Sequence, residues 1–241
     1  MGVLGFRWRT QELRERHYPR EFRGMYDRFL DTILEYAQPT DIVLDAGCGS
    51  GRVFQHRLAG RVRHVVGIDV TDEPRDNPNI DDALNGDLGD LPLRKDTFDL
   101  IVMSHVAEHL TEPELVFLEL SRVLRPGGRL LILTPNRWHY VALVARLTPH
   151  RLHLTLNRWR GLDARDIFPT AYRANTAGRL RSLAEQAELE VERLERFETE
   201  PEYLAFHPVP YAMGVMYERA VNRAGLLAPL RVNLLLVARK G

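Results

Sequence analysis

The sequence predicts an open α/β fold, a mostly parallel sheet with helices on both faces. Three observations carry that prediction. Short apolar or β-branched runs without polar alternation recur at Ile42–Leu44, His64–Val70, Phe98–Ser104 and Arg129–Thr134, the pattern of strands buried on both faces. Segments with helical spacing flank these runs. The first two runs close on an acid, Asp45 and Asp69, and the first continues into a turn carrying Gly47, Gly49 and Gly51. Open α/β sheets bind ligands just outside the carboxyl ends of their strands, where such a turn would lie.

The elements follow in order. Phe22, Met25, Tyr26, Phe29, Leu30, Ile33 and Leu34 share one helical face, predicting an amphipathic helix over Tyr18–Tyr36 that Pro39 stops. Helical spacing resumes over Arg52–Leu58 after the glycine turn. Thr71–Asp82 is rich in Asp, Asn and Pro and reads as loop. Glu114–Leu124 reads as a helix entered through Pro113 and ended by Pro126-Gly127-Gly128. Beyond Pro135 the pattern loosens: helices at Arg137–Leu147, Asn175–Leu189 and Pro210–Leu227, strands at Val191–Phe197 and Val232–Ala238, and no clear period over His150–Tyr172.

Composition narrows the function classes. The chain has 241 residues, 44% of them hydrophobic and 27% charged, too apolar for intrinsic disorder. Lys+Arg 33 balances Asp+Glu 33, whereas a general binder of nucleic-acid backbone needs a positive excess. A lone cysteine, Cys48, excludes a disulfide framework and suits a reducing compartment. Apolar runs such as Val141–Val144 and Leu234–Ala238 fall far short of the ~18 residues of a membrane span. Met1–Arg16 has no apolar leader core, so a cytoplasmic location without a membrane span is expected.

Lys95 and Lys240 are the only lysines, so the basic residues are almost all arginine. Codon bias accounts most simply for the total, but the distribution is uneven. Nine arginines and two aspartates fall between Arg137 and Arg181, while eight glutamates and two arginines fall between Glu185 and Glu202. The arginine-rich stretch either is neutralised by its acidic neighbour or holds an anionic ligand.

Two phosphate-binding readings of the glycine turn fail. The dinucleotide fingerprint G-x-G-x-x-G needs a third glycine where Arg52 stands, and a P-loop needs a Gly-Lys pair that the chain lacks. Asp45-Ala46-Gly47-Cys48-Gly49-Ser50-Gly51 instead resembles the acidic-x-G-x-G-x-G signature of class I S-adenosylmethionine-dependent methyltransferases. The resemblance continues through Val66-Gly67-Ile68-Asp69, Gly86-Asp87-Leu88, Phe98-Asp99-Leu100-Ile101, Ala107-Glu108-His109-Leu110 and Arg122-Val123-Leu124-Arg125-Pro126-Gly127-Gly128.

That resemblance implies a Rossmann-like seven-stranded, mostly parallel sheet with an antiparallel last strand, plus a helical substrate cap. It implies one methyltransferase domain over 1–241, with an N-terminal helical segment (1–38), an S-adenosylmethionine-binding core (39–136), a cap insertion (137–174) and a C-terminal helix and strands (175–241). The cofactor implied is S-adenosyl-L-methionine. Asp45, Gly47, Cys48, Gly49 and Gly51 would cradle its methionine moiety, Asp69 its ribose, Val70, Asp87 and Leu88 its adenine end, and the backbone at Ser104 its amino group.

His105-Val106-Ala107-Glu108-His109 also matches the H-x-x-E-H pattern of some zinc proteases. The family carries a similar Glu-His stretch after this strand, so the five residues read as scaffold and no metal is expected. An oxygen or nitrogen acceptor often needs a base; His105, at the end of Phe98–Ser104, and His139, in the cap with His150 and His153, are the candidates. Trp138, Tyr140, Trp159 and Tyr172 offer stacking surfaces beside the cap arginines.

The expected activity is methyl transfer to a small-molecule acceptor, at an oxygen of a sugar, quinone or natural product; an anionic acceptor is one of the two readings of the arginine-rich stretch. Carbon or nitrogen methylation of a ring, and a catalytically silent S-adenosylmethionine-binding module, are the alternatives. A zinc hydrolase stands further off. The acceptor's identity and the oligomeric state are open.

Overall fold

The computed structural model describes residues 3–19, 21–51, 58, 60–147 and 169–241. Seven strands form one sheet: β1 (Ile42–Ala46), β2 (His64–Asp69), β3 (Asp82–Asn85), β4 (Phe98–Ser104), β5 (Leu124–Pro135), β6 (Leu189–Phe197) and β7 (Asn233–Lys240). Their order is β3-β2-β1-β4-β5-β7-β6, with the first five parallel and the last strands antiparallel. The order reverses between β1 and β4, so their carboxyl ends diverge and leave a crevice. Register aligns the ends that matter: Ala46 pairs with Ile68, and Asp69 with Asn85. On the other side of the crevice Ser104 pairs with Leu133.

The chain divides into two compact units. The sheet unit comprises Tyr26–Pro135, Thr170–Glu195 and Leu234–Gly241. Its helices are α2 (Met25–Tyr36), α3 (Pro113–Val123) and α5 (Ala177–Gln186). Leu44, Ile68, Phe98 and Ile101 of the strands share one core with Phe117 and Leu120 of α3 and Leu180 of α5. Removing such side chains from water, at about 25 cal/mol per Å² of apolar surface, is the main term holding the sheet to its helices. α5 starts where Thr176 accepts a hydrogen bond from the Arg179 amide at 3.1 Å, a side-chain cap that the Thr-Ala-Gly sequence signalled.

The second unit comprises Met1–Met25, Asn136–Pro169 and Arg196–Asn233. It holds α1 (Val3–His17), α4 (Tyr140–Leu147) and α6 (Pro208–Arg223), with 3₁₀ turns at Glu202–Leu204 and Gly225–Leu230. Tyr211 of α6 is fully buried against Tyr18, and Phe22 packs edge-on to Tyr18 at 4.7 Å. Asn136 secures this unit's chain: its amide donates to Val232 O at 2.6 Å, and its side chain to Pro229 O and Arg231 O at 2.7 and 2.8 Å.

Several elements differ from the sequence expectation. The helix expected over Tyr18–Tyr36 starts only at Met25. Pro19 breaks the chain, and Tyr18 and Phe22 are apolar because they pack on Tyr211, so a loop contact mimicked helical spacing. α1 had no amphipathic period to reveal it, although its Arg, Glu, Gln and Leu content favours helix. β3 falls at the end of the expected loop; it is short, polar and at the sheet edge, so it lacks an apolar signature. Arg52–Val53 through Arg57 lie outside the described residues, as does most of the cap insertion. No helix among the described residues is long and apolar enough to cross a membrane.

Candidate active site

At the carboxyl end of β1 the chain folds back on β2. The amides of Gly47 and Cys48 both donate to Ile68 O, at 2.7 and 3.2 Å. Gly47 has φ +78° and passes so close to Val106 that an added Cβ would lie 2.2 Å from its Cγ2. Gly51 has φ +71°, and a Cβ there would come 2.5 Å from Asn77 Oδ1. Both positions therefore require glycine twice over, by backbone region and by space.

Asp69 is bound to this turn. Its Oδ2 accepts from the Gly49 amide at 3.1 Å, and its Oδ1 from the Thr71 amide and hydroxyl, each at 3.0 Å. Beside it, Val70 is 62% exposed, an open apolar face at the end of β2. Asn85 reaches across from β3 to donate to Val70 O at 3.2 Å. Asp87 accepts from the Gly89 amide at 2.8 Å. Leu88, expected to pack on a bound ring, is instead a core residue at 5% exposure, clustered with Leu91.

Asn77 is the residue that the sequence reading missed. It is buried, and its Nδ2 donates to Cys48 O and Gly49 O, at 3.2 Å each. The loop after β2 thereby staples the glycine turn from outside. A polar amide in an Asp/Asn/Pro-rich loop was its only trace in the sequence. The Cys48 thiol is buried, with its pKa raised by burial and by the nearby Asp45 and Asp69. This residue serves the turn through its backbone, with its sulfur close against Gly67. Burial, then the charge of Asp69, pushes the Asp45 carboxyl up to about 7.

Across the crevice β4 ends in Ser104 and His105. The Ser104 hydroxyl and His105 Nε2 are buried and have no hydrogen-bond partner among the described residues. His105 adopts φ +56°, held by its amide's 2.9 Å bond to Leu133 O. Its Nδ1 faces Glu108 Oε1 at 3.1 Å. The five residues of the zinc-like pattern form a turn rather than a helix, so the two histidines do not share a helical face. Among the described residues no group of three or more metal-ligating side chains converges.

Glycine cradles that a Cβ would fill, an acid hydrogen-bonded into the turn, an exposed apolar face and orphaned polar atoms all border one crevice. That donor set fits a nucleoside bearing an amino-acid tail, and nothing in it requires phosphate. Residues 44–132 match the family described as a methyltransferase domain. That segment is a methyltransferase domain, in agreement with the resemblance to the class I S-adenosylmethionine-dependent methyltransferases.

The methyltransferase domain has curated relatives of varied chemistry. Arsenite methyltransferase of Halobacterium salinarum is 36% identical over 107 residues, covering 39% of this chain and 27% of that protein. Ubiquinone biosynthesis O-methyltransferase of Hahella chejuensis is 32% identical over 118 residues, covering 45% and 49%. Malonyl-[acyl-carrier protein] O-methyltransferase of Yersinia pestis is 35% identical over 98 residues, covering 39% and 36%. The chain thus spans about a quarter to a half of the length of the curated relatives it matches.

Solved structures agree on the fold. An S-adenosylmethionine-dependent methyltransferase of Methanosarcina mazei superposes with TM-score 0.55 at 20% identity, covering 87% of this chain and 96% of that one. Geranyl diphosphate methyltransferase in complex with S-adenosylmethionine gives TM-score 0.53 at 17% identity, covering 90% and 84%.

His139 belongs to the second unit and is buried between aromatic rings, 4.1 Å from Tyr140 and 5.6 Å from Tyr217. Its Nδ1 accepts from the Val141 amide at 3.4 Å, while Nε2 lies 3.5 Å from Glu198 Oε2. Burial lowers His139 to about 3 and raises Glu198 to about 8, so both are neutral near pH 7. The Nδ1 lone pair of His139 is thus engaged, and its Nε2 is buried with no hydrogen-bond partner among the described residues.

His150, His153, Trp159 and the arginines from Arg151 to Arg165 lie outside the described residues. Of the other arginines in the Arg137–Arg181 stretch, Arg173 donates to Thr111 O at 2.7 Å and Arg179 pairs with Glu114. The acidic stretch is also occupied: Glu192 pairs with Arg129, and Glu200 with Arg14, at 2.8 Å each.

Proposed function

We propose that this chain is a cytoplasmic S-adenosylmethionine-dependent methyltransferase that methylates an oxygen of a small-molecule acceptor. One observation carries the reading. A glycine turn hydrogen-bonded to Asp69 and stapled by Asn77 closes β1, and the neighbouring strand β4 ends in Ser104 and His105, whose buried polar atoms have no hydrogen-bond partner among the described residues.

In this reading the turn from Asp45 through Gly47, Cys48 and Gly49 to Gly51 holds the methionine moiety. Asp69 accepts from the ribose hydroxyls with the lone pairs its backbone contacts leave free. Val70 covers one face of the adenine, and the Asp87–Leu88 segment borders its amino edge. The Ser104 backbone holds the amino group. When bound, S-adenosylmethionine supplies an electrophilic methyl group and leaves as S-adenosylhomocysteine. His105 Nε2 takes the proton that an acceptor hydroxyl gives up, which favours oxygen over an aromatic carbon. Fixing the acceptor beside this crevice supplies much of the rate, since methyl transfer is an in-line displacement sensitive to alignment.

The balanced net charge supports a small molecule rather than nucleic acid as acceptor. An anionic group on the acceptor is part of the proposal and rests on the arginine-rich cap sequence. Titration calorimetry with S-adenosylhomocysteine tests the site: the wild type should bind, and Asp69→Ala and Gly49→Val should each lose binding. Equal affinity in both variants would overturn the assignment. A screen of hydroxylated small molecules with labelled S-adenosylmethionine then identifies the acceptor.

A further inference from the structure

We infer that Glu108 is a positioning residue for His105, fixing the ring so that Nδ1 carries the proton and Nε2 keeps its lone pair. The inference deepens the proposed function and rests on it for the identity of what meets Nε2.

The geometry leaves little freedom. Glu108 is buried in the sheet unit, where an isolated carboxylate is costly. Each of its oxygens has a polar partner. Oε1 lies 3.1 Å from His105 Nδ1, and Oε2 accepts from the Thr134 hydroxyl at 3.0 Å. Thr134 has a single hydroxyl proton, and its oxygen accepts from Asn175 Nδ2 at 2.7 Å. Asn175 Nδ2 can only donate, so the Thr134 proton must point at Glu108. The Asn175 side chain is held in turn by Pro135 O at 2.9 Å. A chain of donors therefore runs from Asn175 through Thr134 and ends on Glu108 Oε2 as an acceptor.

Burial alone would raise the Glu108 pKa, but the His105 hydrogen bond and the nearby His105 and His109 charges outweigh it and hold the carboxyl below its ordinary range. An ionised Glu108 selects the Nδ1–H tautomer of His105. The backbone braces the same arrangement. Glu108 O accepts from the Ala171 and Tyr172 amides at 2.8 and 3.0 Å. His105 also sits at φ +56°, a left-handed backbone that a residue with a Cβ rarely adopts. Tyr26 of α2 closes the remaining side, edge-on at 5.8 Å. Tyr26 faces His105 and His109 lies near Glu108, so these are the titratable side chains seen beside the pair among the described residues.

Long-range ¹⁵N–¹H spectroscopy of the histidine rings tests the inference without any acceptor. The neutral His105 ring should be the Nδ1–H tautomer, and Glu108→Gln, whose side-chain amide can donate to Nδ1 while its carbonyl accepts from Thr134, should move the ring toward the Nε2–H tautomer. Thr134→Val keeps the carboxylate but removes one of its donors, and should leave the tautomer in place. If Glu108→Gln fails to fold, the wild-type tautomer and its persistence in Thr134→Val still decide the matter. An Nε2–H tautomer in the wild type, or a tautomer unchanged by Glu108→Gln, would overturn the inference. S-adenosylhomocysteine calorimetry on the wild type separates the two readings: absent binding refutes the methyltransferase proposal while the ring spectra continue to report on Glu108.

Discussion

The Gly49 amide donates to Asp69 Oδ2 at 3.1 Å, so the tip of the glycine turn and the acid closing β2 are one bonded unit. Twenty residues separate them in sequence. The turn and Asp69 are therefore set before any ligand arrives, which limits the ordering that binding must impose.

The glycines of that turn should separate stability from binding. Gly47→Ala places a methyl 2.2 Å from a Val106 carbon at positive φ, whereas Gly49→Ala meets nothing closer than 3.8 Å. Gly49→Ala should cost roughly 1–2 kcal/mol of stability from the backbone alone. Gly47→Ala should cost distinctly more, because overpacking adds about 1–3 kcal/mol. Thermal unfolding of the two variants checks the order, and a Gly47→Ala protein as stable as Gly49→Ala contradicts it.

Asn77→Ala removes the two side-chain bonds that hold Cys48 O and Gly49 O. At about 1 kcal/mol for each net hydrogen bond, stability should fall by about 2 kcal/mol. Because the staple acts on the turn itself, affinity for S-adenosylhomocysteine should fall by about tenfold, equivalent to 1.4 kcal/mol. Urea unfolding and calorimetry on the same variant measure both losses.

Asp45 makes the ligand-free protein pH-dependent. Its carboxyl is raised in the folded state to about 7, so the folded protein holds a proton that the unfolded chain releases near pH 4. Its stabilising contribution is full below that lower value and is lost as pH rises through about 7. Asp45→Asn should flatten this part of the stability profile and raise the melting temperature above neutral pH. The same change should weaken S-adenosylhomocysteine binding, and unfolding scans across pH together with calorimetry reveal whether the two effects oppose.

Glu198 predicts a second slope, in the other unit. Burial raises it to about 8, against the hydrogen bonds from the Val232 and Thr199 amides. Its contribution should also be lost on raising pH, through about 8. His139 runs oppositely: with its folded value lowered to about 3, stability is lost as pH falls below the ordinary imidazole range. Glu198→Gln should therefore stabilise the protein most at pH above 8 and change little near pH 5, as thermal scans at the two pH values can show.

Much of the sheet unit was legible in the sequence for a simple reason. Strands buried on both faces must be continuously apolar, so β1, β2, β4 and β5 announce themselves, and the acids and glycines at their ends stand out against that background. Asp45, Asp69 and the glycine turn were found in this way. α1 and β3 were not, because neither has an apolar face whose period could be read. Leu88 was assigned to a ligand face because an apolar residue beside Asp87 looks the same in sequence whether it covers a ring or fills the core.

By itself the sequence determined the α/β class, the turn and the acids beside it, all features made by neighbours in the chain. The tertiary structure decided which distant residues complete them. Asn77 reaches back 29 residues to Cys48, Glu108 meets Thr134 across 26, and Thr134 meets Asn175 across 41. None of these polar residues has a periodicity that marks it. Their roles arise only where packing removes water and leaves each buried donor and acceptor one partner to find.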